Sequence, residues 1–263
     1  MNRIVERFER LKRERKKGLV IYVGAGDPDL SATHELAVAF DRAGVDVLEL
    51  GVPFSDPLAD GPVNQAAAQR GLASGTTPRK VLEAVAKIRT ASQVPIVLYI
   101  YFNLLHRHGF AQFIQDAARA GVDGLLVLDL PPEESENYES MMKEAEMCAI
   151  YLVAPTTPEE RIEMIVKRGS GFIYYVSREG VTGMQSKVAD TIGSMTAQIR
   201  AHTKLPIAIG FGISTPAQAR EVAASADAIV VGSAVVNQIV QHAGERMVEQ
   251  VAAFVKSLAE AVR

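Results

Sequence analysis

Arg42 to Leu50 reads RAGVDVLEL, and these nine residues hold a helix end, a glycine, an aspartate and a short apolar run. The same order returns as RAGVDGLLVL at Arg119 to Leu128 and, more loosely, as AASADAIVV at Ala223 to Val231. In each, small residues close a helix, an Asp sits in the turn and a strand follows. A strand–loop–helix unit is therefore used repeatedly. Outward from these junctions lie further apolar runs: GLVIYVGAGDP from Gly18, PIVLYI from Pro95, AIYLV from Ala149, GFIYYV from Gly171 and PIAIGF from Pro206. Strands centred near residues 20, 48, 98, 126, 151, 174, 208 and 229 make eight.

Helical patterns separate them. Ser31 to Ala43 opens on a capping residue and carries Leu36, Ala37, Phe40 and Ala43 on one face; Thr77-Pro78 starts a helix running to about Ala91; Thr157-Pro158-Glu159-Glu160 combines a first-turn proline with a capping box. Short strands apolar on both faces, alternating with helices, predict a parallel sheet covered on both sides. Eight of them close into a (β/α)8 TIM barrel, with an extra N-terminal helix over Ile4 to Lys16 whose apolar positions are Ile4, Phe8 and Leu11. No linker or low-complexity stretch interrupts residues 1–263, so one domain is expected. An open doubly wound sheet is the alternative, and no GxGxxG follows the first strand.

Charge and composition narrow the function. The 28 basic and 31 acidic residues give −3 with no long run of either sign, which disfavours nucleic-acid binding. An anionic ligand would have to be held by local geometry. The single cysteine, Cys148, excludes a disulfide framework and any multi-cysteine metal site. The charged opening MNRIVERFERLKRERKK lacks a signal-peptide core, and no apolar run reaches membrane-spanning length, so a cytoplasmic setting is expected. Of the five histidines only His106 and His108 are close, in or near a surface turn, and no metal site is expected. Lys167, Lys187 and Lys204 lie in helices or loops, so none offers a Schiff-base nucleophile inside a barrel.

What remains is acid/base chemistry and an anion site. Glu49 lies within the apolar second strand, facing with Val47 and Gly51 toward the barrel interior. A carboxyl group in apolar surroundings has a raised pKa and suits proton transfer near neutrality; the plainer alternative is a buried Glu paired with an Arg or Lys. The loop that follows, VPFSDPLADGP, carries Asp56 and Asp60 between prolines. Asp60 could cap the helix near Pro62 and Asp56 could make a turn, and residue type does not rank them. Strands 6 to 8 lead into SREGVTG, GFGIS and GSAVV. Barrels bind phosphate there with backbone N–H groups and a helix amino end, which points to Gly183, Gly210, Gly212, Gly232 and Ser233.

LELGVPFSDPLADGP at Leu48 to Pro62, with GDP at Gly26 to Pro28, SREGVTG at Ser177 to Gly183, GFGIS at Gly210 to Ser214 and GSAVV at Gly232 to Val236, resembles the tryptophan synthase alpha subunit family across essentially the whole chain. The resemblance implies retro-aldol cleavage of indole-3-glycerol phosphate to indole and glyceraldehyde 3-phosphate. It implies that Glu49 is the acid/base, that Asp60 stabilises charge at the indole nitrogen, and that Tyr174 is the active-site tyrosine. Tyr22 and Phe211 would wall the indole, Gly183, Gly212, Gly232 and Ser233 would take the phosphate, and Thr182 could hydrogen-bond Asp60. It further implies a beta-subunit partner in an alpha2beta2 complex, faced by Asp56 and Pro53; the pyridoxal phosphate belongs to that partner and no cofactor to this chain. Departures from the family pattern are Gly24-Ala25 after the first strand and the aromatic Tyr99 and Phe102 around the third. Two competing expectations are a chain that mainly activates the beta subunit and a phosphate-sugar isomerase or epimerase of the same fold.

Overall fold

The N–H of Leu19 donates to the Asp46 carboxylate (2.8 Å) while the N–H of Asp46 donates back to the Leu19 carbonyl (2.9 Å). This two-way clasp recurs between Ile96 and Asp123 and between Ile207 and Asp227, each carboxylate accepting at 2.8 Å. These three aspartates are the ones the repeated sequence placed in its turns. A fourth clasp joins Ala149 to Ser170, where a hydroxyl replaces the carboxylate and the sequence repeat is lost.

The clasps sit at the amino ends of alternate strand pairs in a closed parallel barrel, β1 to β8 in chain order with β8 returning to β1. The strands are β1 (Gly18–Gly24), β2 (Val47–Gly51), β3 (Ile96–Ile100), β4 (Gly124–Val127), β5 (Cys148–Val153), β6 (Ile173–Val176), β7 (Ile207–Gly210) and β8 (Ala228–Val231), at the eight places expected. This computed structural model describes residues 1–177, 185–210 and 212–263, without the side chains of 185–191. The helices are α1 (Arg3–Glu14), α2 (Leu30–Ala43), α3 (Pro62–Ala73), α4 (Pro78–Arg89), α5 (Phe102–His108), α6 (Phe110–Ala120), α7 (Glu136–Glu144), α8 (Glu159–Arg168), α9 (Gln185–His202), α10 (Pro216–Ala223), α11 (Ser233–Gln241) and α12 (Met247–Val262). None of the described helices is long and apolar enough to cross a membrane.

Strand side chains alternate with period two, which divides the core. Leu19, Ile21, Leu48, Leu50, Ile96 and Leu98 point outward under the helices. Val20, Val47, Val97, Leu126, Ile150 and Ala208 point inward, where Ile4, Phe8 and Leu11 of α1 meet them. The extra helix therefore lies across the amino end of the barrel as a plug. Its charged face reaches the clasps: Arg7 pairs with Asp46 (3.2 Å) and Arg3 with Asp123 (2.8 Å), and Asp123 also holds Arg89 (2.7 Å).

Two helix starts differ from the sequence expectation. Asp29, not Ser31, caps α2, accepting from the Ala32 N–H at 2.8 Å. Thr157 makes no capping box; its hydroxyl turns back to accept from the Ala154 N–H, leaving Pro158 at the N-cap of α8.

Asp123 satisfies two guanidinium groups and a strand N–H while only 3% exposed. Removing one member of such a buried pair costs roughly 3–5 kcal/mol, because the partner charge stays buried. Asp123→Ala is expected to lower the urea unfolding midpoint by that equivalent, whereas Asp56→Ala on the exposed loop leaves it within about 0.5 kcal/mol. Equal midpoints for the two variants would overturn the role given to the clasp.

Candidate active site

Two residues beyond Val47, Glu49 points inward at the carboxyl end of β2 and is 0% exposed. Neither of its carboxyl oxygens meets a hydrogen-bond partner among the described residues. Burial first, and then the nearby Asp60 charge, push its pKa up to about 8. At neutral pH it is a neutral acid holding a transferable proton. The alternative of a Glu paired with Arg or Lys is not what the structure shows. Glu49 forms part of the wall of a cavity of about 570 Å³ at the strands' carboxyl ends.

Asp60 lines the same cavity, half-buried, and is held from β3. The Tyr99 hydroxyl donates to Oδ1 at 2.7 Å and the Tyr101 hydroxyl to Oδ2 at 2.8 Å. The Tyr101 oxygen also accepts from the Ala59 N–H (3.0 Å), so its own proton is directed at the carboxylate. Gly61, not Asp60, is the N-cap of α3; the capping alternative fails because the carboxylate is turned to the tyrosines. Burial, reinforced by the Asp60 charge, holds the Tyr99 hydroxyl well above the ordinary phenol range and hence protonated.

The aromatic side of the cavity comes from Tyr22 on β1, Tyr99 and Tyr174 on β6. Tyr22 and Tyr99 meet edge to face, centroids 5.2 Å apart at 69°. Glycine makes room for the other faces. A Cβ at Gly51 would lie 2.4 Å from the Tyr22 hydroxyl, and one at Gly210 would lie 2.7 Å from the Tyr174 ring. Burial, then the Glu49 charge, raise the Tyr174 hydroxyl well above its ordinary pKa.

The same cavity contains Gly212, Gly232 and Ser233, with Gly232 close beside Tyr22. Gly232 is the N-cap of α11 and offers no side-chain cap, so the helix start faces the cavity with its N–H groups unclaimed by one. Sequence reasoning missed three residues here. Ser177 follows β6 with a buried hydroxyl that has no partner among the described residues; Asn64 on α3 accepts a long 3.5 Å bond from Ser233; Asn237 lies one turn along α11. Only Ser177 carried a signal, as a polar residue closing an apolar strand.

The other expected positions fall elsewhere. Thr182, Gly183 and Phe211 lie outside the described residues. Asp56 is exposed and bonded to the Ser55 hydroxyl (2.6 Å), and Leu58 beside it is 94% exposed. Pro53 is buried, its ring facing Gly71 of α3. Phe102 stacks on Phe110 and His106, away from the cavity, so of the two aromatic departures only Tyr99 shapes the site. His106 and His108 belong to α5, and His108 meets Asp116 at 2.9 Å. Among the described residues no group of His, Cys, Asp and Glu could hold a metal ion. Cys148 is buried at the start of β5, at the other end of the barrel.

The sequence model of the family described as "Tryptophan synthase alpha chain" matches residues 8–263. The tryptophan synthase alpha chain of Geobacter sp. (strain M21) is 48% identical over 262 residues, covering 100% of this chain and 98% of the relative. That of Opitutus terrae is 50% identical, with 98% of each covered. Among solved structures, tryptophan synthase subunit alpha from Legionella pneumophila str. Paris superposes with a TM-score of 0.92 at 38% identity, covering 100% of this chain and 98% of that one. An aminoacrylate-bound tryptophan synthase from M. tuberculosis gives 0.90 at 30% identity, with both chains fully covered.

The raised Glu49 pKa has a stability consequence whose sign is fixed. Unfolded, the group ionises near 4.5; folded, near 8, so between these values the unfolded state has released a proton that the native state keeps. Stability is therefore lost as pH rises through this window, by roughly 1 kcal/mol per pH unit. Glu49→Gln removes that loss. Urea midpoints from pH 5 to 8 should converge at the acid end and favour the variant increasingly toward pH 8; parallel curves would show that Glu49 is not a neutral buried acid.

Proposed function

The chain belongs to the tryptophan synthase alpha chain family, and from that premise we propose that Glu49 and Asp60 carry its reaction, the retro-aldol cleavage of indole-3-glycerol phosphate to indole and glyceraldehyde 3-phosphate. The observation that carries the assignment is Glu49: buried, without a hydrogen-bond partner among the described residues, proton-bearing at pH 7 and open to the cavity.

The substrate's aromatic part fits among Tyr22, Tyr99 and Tyr174, and its phosphate at Gly212, Gly232 and Ser233. Glu49 gives its proton to C3 of the indole, and the ring nitrogen takes up positive charge. Asp60, its carboxylate oriented by two tyrosines, lines the same cavity and balances that charge. Glu49, now a carboxylate, takes the proton of the hydroxyl on the carbon bonded to C3. That C–C bond breaks, its electron pair returns to the ring, the aldehyde forms, and Glu49 is again protonated. No lysine or metal is required by these steps. A chain acting only as an activator of another subunit has no use for a buried acid opening on a cavity, which favours the enzymatic assignment.

The product indole passes to the beta subunit, which carries pyridoxal phosphate. The exposed loop with Asp56 and Leu58 is the surface we assign to that partner in an alpha2beta2 complex; Pro53, buried against Gly71 of α3, is not part of that exposed surface. We also assign the chain to the cytoplasm and read residues 1–263 as one domain, in keeping with its charge balance and uninterrupted repeat.

The test is indole release from indole-3-glycerol phosphate, with and without a beta subunit. Glu49→Gln is expected to lower kcat by about 10²–10⁴-fold, the usual worth of a general acid/base. Ser233→Ala should raise KM several-fold with kcat nearly unchanged. Asp56→Ala should spare cleavage by the chain alone and weaken the response to the beta subunit. No cleavage by the parent in either condition would overturn the assignment, and full activity in Glu49→Gln would displace its central residue.

A further inference from the structure

We infer that Tyr99 is a positioning residue for the reaction: its hydroxyl fixes the Asp60 carboxylate in the orientation that meets the indole nitrogen. The inference rests on the role of Asp60 proposed above. The two tyrosines on Asp60 are not equivalent. Tyr101 is tied to the loop itself, accepting from the Ala59 N–H and stacking on Phe54 with centroids 5.2 Å apart. It would hold the loop even without the carboxylate. The Tyr99 hydroxyl has one hydrogen-bond partner among the described residues, Asp60 Oδ1. Its ring is a wall of the substrate cavity, set edge to face against Tyr22.

One hydrogen bond to Oδ2 leaves a carboxylate free to swing about its Cβ–Cγ bond. A second bond to Oδ1, from a different position along the same strand end, fixes the plane of the group. Each carboxylate oxygen accepts up to two hydrogen bonds, so both tyrosines can be satisfied while a lone pair on Oδ1 remains for the indole N–H. Tyr99 sits low enough in the barrel to do this because β3 is in register with β2: Val97 lies beside Glu49 and Tyr99 beside Gly51, which has no side chain to obstruct it. The neutral acid on β2 and the carboxylate on the loop that follows it thus line one cavity, and the carboxylate is held from the adjacent strand β3. A preorganised charge acts in the transition state without reorganising when positive charge develops, so losing its support is felt in kcat more than in binding.

Tyr99→Phe removes the hydroxyl and keeps the ring. In the full chain with its beta subunit, kcat for indole release should fall roughly 10- to 100-fold with KM changed less than about threefold. In an Asp60→Asn background the same substitution should cost less than about twofold, because its effect passes through Asp60. The urea midpoint serves as a check on folding. A parent that cleaves, an impaired Asp60→Asn and a fully active Tyr99→Phe would overturn this inference and leave the catalytic assignment intact. Additive losses in the double variant, or a loss in KM alone, would show that Tyr99 contributes only as a wall. An Asp60→Asn as active as the parent would remove both the role of Asp60 and that of Tyr99.

Discussion

Closure of the barrel depends on the two-way clasp between an odd strand and the turn before its even neighbour. It ties Leu19 to Asp46, Ile96 to Asp123, Ala149 to Ser170 and Ile207 to Asp227. A one-residue slip in a parallel pair would send every side chain to the other face of the sheet. The clasps oppose that slip at four points around the ring, and the arginines of α1 brace two of them. Everything at the opposite end inherits this register. Glu49 faces the interior because Val47 does, and Val47 does because Asp46 is pinned to β1.

From that register follows a separation of two carboxyl groups by environment. Glu49 lies inside the wall, where desolvation keeps it neutral. Asp60 lies on the loop, where two phenols and partial exposure replace bulk water. Such a pair can do opposite things at one pH, one donating a proton and the other holding negative charge. The arrangement costs stability at Glu49, a buried acid with no hydrogen-bond partner among the described residues, which a pure scaffold would not retain. The cost is borne by a core that is nearly continuous outside the barrel and sealed at its amino end by Ile4, Phe8 and Leu11.

The aromatic positions show how one strand can serve wall and chemistry together. Tyr99 and Tyr101, two residues apart at the end of β3, lean the same way. Their rings build the cavity side and the loop contact, and their hydroxyls meet on one carboxylate. Gly51 and Gly210 complete the arrangement by leaving space into which neighbouring tyrosines project. The family resemblance brought Tyr99 to notice only as extra bulk; the structure shows it as a hydrogen-bond donor.

The barrel and its eight strands were legible in the sequence because hydrophobic period and the Asp-bearing junction are local signals, repeated with each unit. Glu49 was legible for a similar reason: a carboxylate inside an apolar run stands out against its own neighbours. Asp56 and Asp60 could not be ranked from residue type, since a loop aspartate has the same local options at either place. The family resemblance gave them different roles by implication; the physical difference came from the tertiary structure, which brings β3 alongside the β2 loop so that residues 39 and 41 positions away reach Asp60 and leave Asp56 exposed. Ser170 as the fourth clasp and Asn64 beside Ser233, 169 residues apart, belong to the same class. Such contacts have no period and no fixed spacing along the chain; they exist because a closed ring of strands brings distant segments to one rim, and that closure is a property of the whole fold.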